Sequence, residues 1–461
     1  MRWKKPASPS SNPAQQWLPA LAFASAILIG TLLLLLPAAR QPGQTAHLTT
    51  AIFLATSAVC VTGLSPVEIT QYLSPFGQGI LLLLVQLGGL GIMTLGTFLF
   101  EMLGRRLSLS NEQLLASSLG SSTTGRLYSL LGRTLVFTIV WELGGTLLLA
   151  WRYHGTWGYP AGQALRHGLF HSISAFCNAG FSLYPTSLAG FAGDPWYLLI
   201  IATLVISGGL GFIVHTNLAG LAPWRRNRLS RGHLSLHSRI VLLGTVVLLL
   251  GGTLTIFLLE RHGTLAGRPL PLQWVSAFFE CATWRTAGFS TVETGALQGL
   301  SKALAMFLMF VGGAPGSTAG GIKVTTLVVL AATVSAITRN HDEVEFAQRT
   351  IPARAVRESI VIALLGLLSV AVASLTLHLT EAAAFAPRNG LSLPLLFETV
   401  SAVGTVGLSH DVVPQLSAAG RLLLCLCMFV GRLGPLTLAL NISGAAPSPA
   451  RRFPEENVIV G

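Results

Sequence analysis

The sequence predicts an all-α integral membrane protein built from four parallel repeats. Each repeat is a span, a short re-entrant helix and a second span, giving eight spans and four re-entrant loops around one central axis. Composition is the first observation behind this. Hydrophobic residues make up 51% of the 461-residue chain and charged residues 10%, against about 25% charged in a soluble domain. Mean hydropathy is +0.65. The second observation is an internal repeat: Ser57-Ala-Val-Cys-Val-Thr-Gly63-Leu-Ser65, Ser174-Ala-Phe-Cys-Asn-Ala-Gly180-Phe-Ser182, Ala282-Thr-Trp-Arg-Thr-Ala-Gly288-Phe-Ser290 and Ser401-Ala-Val-Gly-Thr-Val-Gly407-Leu-Ser409. Each copy runs to a Gly, then Leu or Phe, then Ser. The glycines stand 117, 108 and 119 residues apart, the regularity of one repeated architectural unit. The third is the placement of charge. With a cytoplasmic N-terminus, 18 of the 29 Lys and Arg residues fall on inner segments and eight on outer ones, which is the positive-inside bias.

Residues 1–16, basic and rich in Pro and Ser, form a cytoplasmic tail without the pattern of a cleaved signal. Repeat 1 occupies 17–106. Its first span, Trp17–Pro37, is long enough for a ~30 Å hydrocarbon core. His47–Thr62 is apolar but too short to cross and return, which suits a re-entrant segment. Phe76–Leu103 follows, where Gly88, Gly89, Gly91 and Gly96 allow close helix contact, and Arg105-Arg106 ends it inside. Repeat 2 (107–224) places its elements at Leu127–Trp151, Ala164–Cys177 and Trp196–Leu221.

Repeat 3 (225–339) has Ile240–Leu259, Leu272–Thr283 and then a broken second helix. Ala303–Val311 is apolar, but Gly312-Gly-Ala-Pro-Gly-Ser-Thr-Ala-Gly-Gly321 cannot continue a helix at ordinary cost. Apolar sequence resumes over Ile322–Ile337. Nine apolar residues do not reach across. Irregular backbone at membrane depth is tolerated where it is buried in protein or lines a water-filled cavity, so this loop is a candidate gate. Repeat 4 (340–441) holds Ile360–Leu379, Leu393–Val403 and Leu422–Leu440, followed by a basic cytoplasmic tail, 442–461. Two full crossings per repeat return the chain to the same side, so all four repeats share one orientation.

The repeated stretches carry the chemistry. Thr405-Val406-Gly407 matches the start of the Thr-Val-Gly-Tyr-Gly potassium filter, in which backbone carbonyls replace the ion's water shell. Four such strands around an axis supply rings of carbonyls lining a central pore, and a Gly at one place in each permits dihedrals that turn consecutive carbonyls to one side. The candidate filter strands, and K+ sites, are Val61-Thr62-Gly63, Asn178-Ala179-Gly180, Thr286-Ala287-Gly288 and Thr405-Val406-Gly407. The re-entrant helices end near the axis, where their C-terminal dipoles favour a cation. Glu68, Glu293 and Asp411, with Asp194 further on, follow the glycines and would concentrate cations outside; as single residues they are ordinary loop charges.

The candidate gate comprises Gly312, Gly313, Gly316, Ser317, Thr318, Gly320 and Gly321 with Lys323 and Arg432. Charges at membrane depth need partners or water. Arg432 in the cavity would oppose cation passage unless displaced, while Lys323 either faces that cavity or snorkels inward. Arg285 is expected to brace the third re-entrant loop against Glu280 or Glu398.

Together these motifs resemble the Trk/Ktr/HKT superfamily of potassium transporters. The resemblance rests on Thr-Gly-Leu, Phe-Cys-Asn-Ala-Gly-Phe, Arg-Thr-Ala-Gly-Phe-Ser and Gly-Thr-Val-Gly-Leu-Ser, and on the break at Gly312–Gly321 continuing into Ile322-Lys323. It covers about residues 17–441. With the first repeat starting at once, the chain is similar to the shorter KtrB-type membrane subunit rather than the longer TrkH type. The resemblance implies potassium uptake through one pore per subunit, with Gly63, Gly180, Gly288 and Gly407 as filter glycines. It also implies a homodimer, a cytosolic ring of nucleotide-binding regulatory subunits of the RCK type, and sodium as a candidate activator. Gly63, where some plant relatives with sodium preference carry Ser, favours potassium. Arg432 matches the family's arginine below the gating loop. Trp284 departs from the pattern and bears on packing behind the third strand.

Other classes fit less well. There is no His-Glu-x-x-His motif and no Ser/His set or paired carboxylates at membrane depth, so no enzyme and no covalent cofactor is expected. The five cysteines lie in apolar segments without zinc or disulfide spacing. His341-Asp-Glu-Val-Glu345 is a solvated loop or a subunit contact. The net charge of +12 follows topology, so membrane lipid rather than nucleic acid is the partner, in a multi-pass protein of the cell membrane with both termini cytoplasmic. Within transport, a sodium-selective or ion-coupled symporter of the same fold is the competing reading.

Overall fold

Apolar length sets the helices, and proline or a capping side chain sets where many of them begin. The computed structural model describes residues 17–102, 127–221, 234–385 and 392–434. Its principal helices are α1 (Leu18–Leu34), α2 (Leu48–Val59), α3 (Pro75–Met102), α4 (Leu127–Gly155), α5 (Ala161–Phe176), α6 (Pro195–Leu210), α7 (Phe212–Gly220), α8 (Leu236–Glu260), α9 (Leu270–Trp284), α10 (Gly299–Phe310), α11 (Val324–Thr338), α12 (Ala353–Phe385), α13 (Leu393–Gly404) and α14 (Ala418–Leu433). A two-residue antiparallel ladder, β1 (Glu345–Phe346) with β2 (Arg349–Thr350), joins α11 to α12. Prolines sit in the first turn of α1, α6, α9 and α13, where a missing N–H costs nothing. Side-chain oxygens of Asp194, Ser235 and Ser417 cap α6, α8 and α14 by accepting from the N–H of Tyr197, Ser238 and Gly420.

Burial departs from that of a water-soluble protein in two ways. Leu243, Val247 and Leu250 on α8 and Leu364, Leu368 and Leu375 on α12 are exposed, while Ser57, Ser174, Thr283 and Ser401 are completely buried. An apolar perimeter with polar groups buried inside suits lipid, which is as apolar as leucine and leaves those groups to be satisfied within the protein. The short helices α2, α5, α9 and α13 make up much of that centre. Among the described residues, Thr134–Gly155, Leu236–Glu260 and Ala353–Glu381 are long and apolar enough to cross a membrane, and α6 with α7 adds a fourth span if the bent pair is counted as one.

The expected continuous second spans of the first two repeats are corrected by the structure. Within α3, Gly91 leaves the helix at φ 85°. Gly211, at φ 75°, separates α6 from α7, which bend by 94°. Gly434, at φ 86°, ends α14. An interruption expected in the third repeat alone is therefore present in the first two as well, and in the fourth the last described residue is the positive-φ Gly434. The sequence carries its signal: Gly88-Gly-Leu-Gly91, Gly208-Gly-Leu-Gly211 and Gly431-Arg-Leu-Gly434, with Gly312-Gly-Ala-Pro315 between them. The last glycine of the first three supplies the positive φ that other residues reach only with strain. The first glycine serves packing: a methyl group at Gly88, Gly208 or Gly431 would strike the carbonyl oxygen of Val59, Phe176 or Val403.

Buried carboxylates close the other ends. Glu260 accepts from Gln298 N at 2.9 Å, joining α8 to the start of α10, and Glu381 accepts from Ser417 N at 3.1 Å, joining α12 to α14. Asp194, expected among the outer charges, is buried in an ion pair with Arg152 at 2.7 Å. The tails 1–16 and 442–461 lie outside the described residues, as do the repeat boundaries at 106 and 224 and the stretch 435–440 of the last span. So do Arg105, Arg106, Arg126, Arg225, Arg226, Arg228 and Arg231.

Candidate ion-conduction site

Each short helix runs directly into one of the repeated strands. In all four, the first strand residue is left-handed although it is not glycine: Val61 (φ 56°), Asn178 (58°), Thr286 (72°) and Thr405 (49°). The glycine two residues on is left-handed as well, at 95°, 68°, 74° and 96°, and the residue between them is not. That alternation turns successive carbonyls to one side. Left-handed β-branched residues are outliers held by their surroundings, and here the short helix holds them. Thr62 N, Ala179 N and Val406 N donate to the carbonyls of Ser57, Ser174 and Ser401 at 2.8, 2.7 and 2.9 Å. Gly63 N and Gly407 N donate to Ser57 Oγ and Ser401 Oγ at 3.0 and 3.1 Å.

The third strand keeps this plan with a shift. Gly288 N donates to Thr283 O at 3.0 Å, so Thr283, not Ala282, takes the serine's place. One residue is missing between helix and strand, a difference hidden by aligning the glycines alone.

The four glycines meet in a closed ring. A methyl group at Gly63 would strike Ala179 O, one at Gly180 Ala287 O, one at Gly288 Val406 O, and one at Gly407 Thr62 O. Each strand therefore touches the next, and the fourth returns to the first. All twelve candidate filter residues fall in this ring. Among the described residues their backbone carbonyls accept no hydrogen bond, and the hydroxyls of Thr62, Thr286 and Thr405 are buried without a partner. Unsatisfied oxygens buried in a chain this apolar are costly unless something else coordinates them.

Buried polar side chains brace the strands from behind. Glu280 accepts from Thr291 N (2.7 Å), Thr291 Oγ1 (2.7 Å) and Trp284 Nε1 (3.0 Å), so the bulk of Trp284 is absorbed by a bond to its own helix. Glu398 accepts from Ser409 Oγ (2.6 Å) and His410 N (2.8 Å), and His171 Nε2 accepts from Leu183 N at 3.4 Å. Sequence reasoning missed this shared role, whose signal is a polar residue after the Phe of Phe170-His, Phe279-Glu and Phe397-Glu. Glu280→Ala would leave three donors unpaired. It is expected to cost about 3 kcal/mol, seen as a lower thermal midpoint in detergent, with Glu280→Gln losing less.

The loop Gly312–Gly321 lies against the ring between α10 and α11. A methyl group at Gly320 would collide with Thr405 Oγ1, and one at Gly312 would stand 3.2 Å from Thr286 Cγ2. Thr318 Oγ1 donates to Phe176 O at 3.1 Å, and Ser317 Oγ to Ala314 O at 2.6 Å. Gly313 packs on Gly209 O, and Gly316 and Gly321 take φ 70° and 63°. Lys323 is half-buried, and its Nζ donates to Ala319 O at 2.7 Å. Arg432 donates to Thr318 O and to Gly88 O. Arg285, expected on Glu280 or Glu398, instead donates to Gly312 O at 3.3 Å. Glu68, Glu293 and Asp411 are exposed.

A further buried carboxylate escaped the sequence reading. Glu142, within α4, accepts from Gln86 Nε2 at 3.2 Å and from Cys177 Sγ at 3.8 Å.

The chain is similar to known cation transport proteins. Residues 21–452 match the family described as TrkH, cation transport protein. The chain is 37% identical to the Ktr system potassium uptake protein B of Vibrio alginolyticus over 96% of this chain and 94% of that one. It is 35% identical to the protein of the same name from Bacillus subtilis, over 96% of each. The potassium/sodium uptake protein NtpJ of Enterococcus hirae is 32% identical over 96% of each chain. The crystal structure of the potassium transporter TrkH from Vibrio parahaemolyticus superposes with a TM-score of 0.74 at 18% identity, covering 95% of this chain and 86% of that one, which establishes the shared fold. The chain is a multi-pass membrane transport protein and not an enzyme; it belongs to the TrkH family of cation transport proteins.

Proposed function

We propose that the chain is the ion-translocating subunit of a potassium uptake system, with four span, pore-helix and span repeats around one central pore. The observation that carries this is the closed ring of four strands whose carbonyls accept no hydrogen bond among the described residues. Stacked carbonyl rings replace the water around a large monovalent cation. The four short helices point their C-terminal dipoles at the same place. The potassium uptake named for the Vibrio alginolyticus and Bacillus subtilis relatives supports the choice of ion.

The glycine-rich loop, held by Arg432 and Lys323, is the gate. The repeats are those bounded at 106, 224, 339 and 441, and the protein sits in the cell membrane with both termini cytoplasmic. A homodimer carrying a cytosolic ring of nucleotide-binding regulatory subunits is the assembly. Relatives named as parts of a Ktr system support a partner subunit. A sodium-linked version of the same transport is the second reading, favoured by the potassium/sodium uptake named for the Enterococcus hirae relative.

Rubidium-86 uptake into cells lacking their own potassium systems tests both. Competition by potassium alone, relaxed toward sodium in Gly63→Ser, is the expected result. Equal competition by sodium, or an unchanged preference in the variant, would favour the sodium-linked carrier.

A further inference from the structure

Arg285 directly precedes Thr286, the first residue of the third strand, and the chain reaches it one residue early. Glu280 lies eight residues before Gly288, whereas His171 and Glu398 lie nine before Gly180 and Gly407. The missing position is that of Cys60, Cys177 and Gly404, small uncharged residues that precede the other strands. In the third repeat a guanidinium abuts the strand instead.

Arg285 is 7% exposed. Its Nε has no partner, and among the described residues no carboxylate pairs with it; the two ion pairs lie elsewhere. A buried cation without a counter-charge is held at considerable cost. What it makes here is one bond, to Gly312 O, the first residue of the glycine-rich loop. The same loop touches the start of the third strand at Thr286 and of the fourth at Thr405. Arg285 is thus the covalent neighbour of a strand and the hydrogen-bond partner of the loop beneath it.

We propose that Arg285 is a positioning residue that couples the third strand to the glycine-rich loop, so that ion preference and loop release are set by one side chain. This rests on the filter and gate reading above. When the loop leaves, Arg285 loses its acceptor and the third strand loses an anchor. A cation close to the guanidinium would repel it and weaken the tie in the other direction, as two-way coupling requires.

The test measures maximal rubidium uptake and rubidium-over-sodium preference in cells for wild type, Arg285→Gln and Arg285→Lys, with Arg432→Ala and Gly63→Ser as controls. Arg285→Gln is expected to raise uptake about threefold and lower preference about fivefold together, within the range of side-chain coupling energies. Arg285→Lys, which keeps a charged donor, should recover most of the preference. Arg432→Ala, which frees the loop but leaves Arg285 beside the strand, should raise uptake with a smaller loss of preference than Arg285→Gln. Arg285→Gln changing only one quantity, or neither, in protein that elutes like wild type would overturn the proposal. Should Arg285→Gln not be recovered, Arg285→Lys decides: a smaller shift in both quantities supports the coupling, and wild-type values in both refute it. An unchanged preference in Gly63→Ser would instead refute the filter reading itself.

Discussion

Gly407→Ala is expected to abolish selective rubidium uptake. Two penalties coincide at this position. Gly407 has φ 96°, a region that side-chain-bearing residues avoid at roughly 1–2 kcal/mol. Its methyl group would also meet backbone on the neighbouring strand, striking Thr62 O and standing 3.1 Å from Gly63 Cα. Backbone cannot swing aside as a flexible side chain can, so the ring must open or the strand must turn. Loss of about 3 kcal/mol of potassium-over-sodium preference is roughly a hundredfold. Gly43→Ala separates the two penalties, because Gly43 has φ 88° but open space around it. Competition assays should show near-wild-type behaviour there and none of the preference in Gly407→Ala. Equal behaviour of the two variants would mean that the ring does not set preference.

Arg432→Ala, and deletion of residues 313–318, should each raise uptake about tenfold. The loop is held beneath the ring by separate bonds rather than by a helical ladder, among them Ala314 N to Gly209 O and Thr318 N to Gly208 O. Arg432 adds one more, to Thr318 O on the loop, while its other nitrogen is anchored to Gly88 O on α3. Because both changes act on one element, their effects should not add. The double variant should transport no faster than the faster single one. Additive increases, or unchanged uptake in both single variants, would remove the loop as the gate.

Much of the site was legible because it is written four times. The glycine frame located all twelve ring residues, since a single Gly-Leu-Ser match carries little information and four at even spacing carry much. The cost of unpaired backbone in lipid made the Gly312–Gly321 break conspicuous, and it also made the helix interruptions at Gly91 and Gly211 easy to pass over. Those need only one glycine each, and apolar sequence continues on both sides. The offset in the third repeat was invisible because aligning the glycines conceals a deletion upstream of them. Arg285 was misjudged for a different reason: nearby carboxylates are the obvious partners of a buried cation, but Glu280 is already saturated by Thr291 and Trp284. Partnership in a crowded interior is set by which acceptor remains free.

The closed ring has a consequence for dosage. A filter assembled from four identical chains receives any substitution four times, whereas here each quarter is encoded separately. If the ring is the proposed filter, a single substitution alters one side of the cation site and leaves three sides as they were. On that reading ion preference would shift in quarter steps, and one quarter could take on a second duty without the others following. The third quarter, one residue short and bonded to the loop below, already differs in this way.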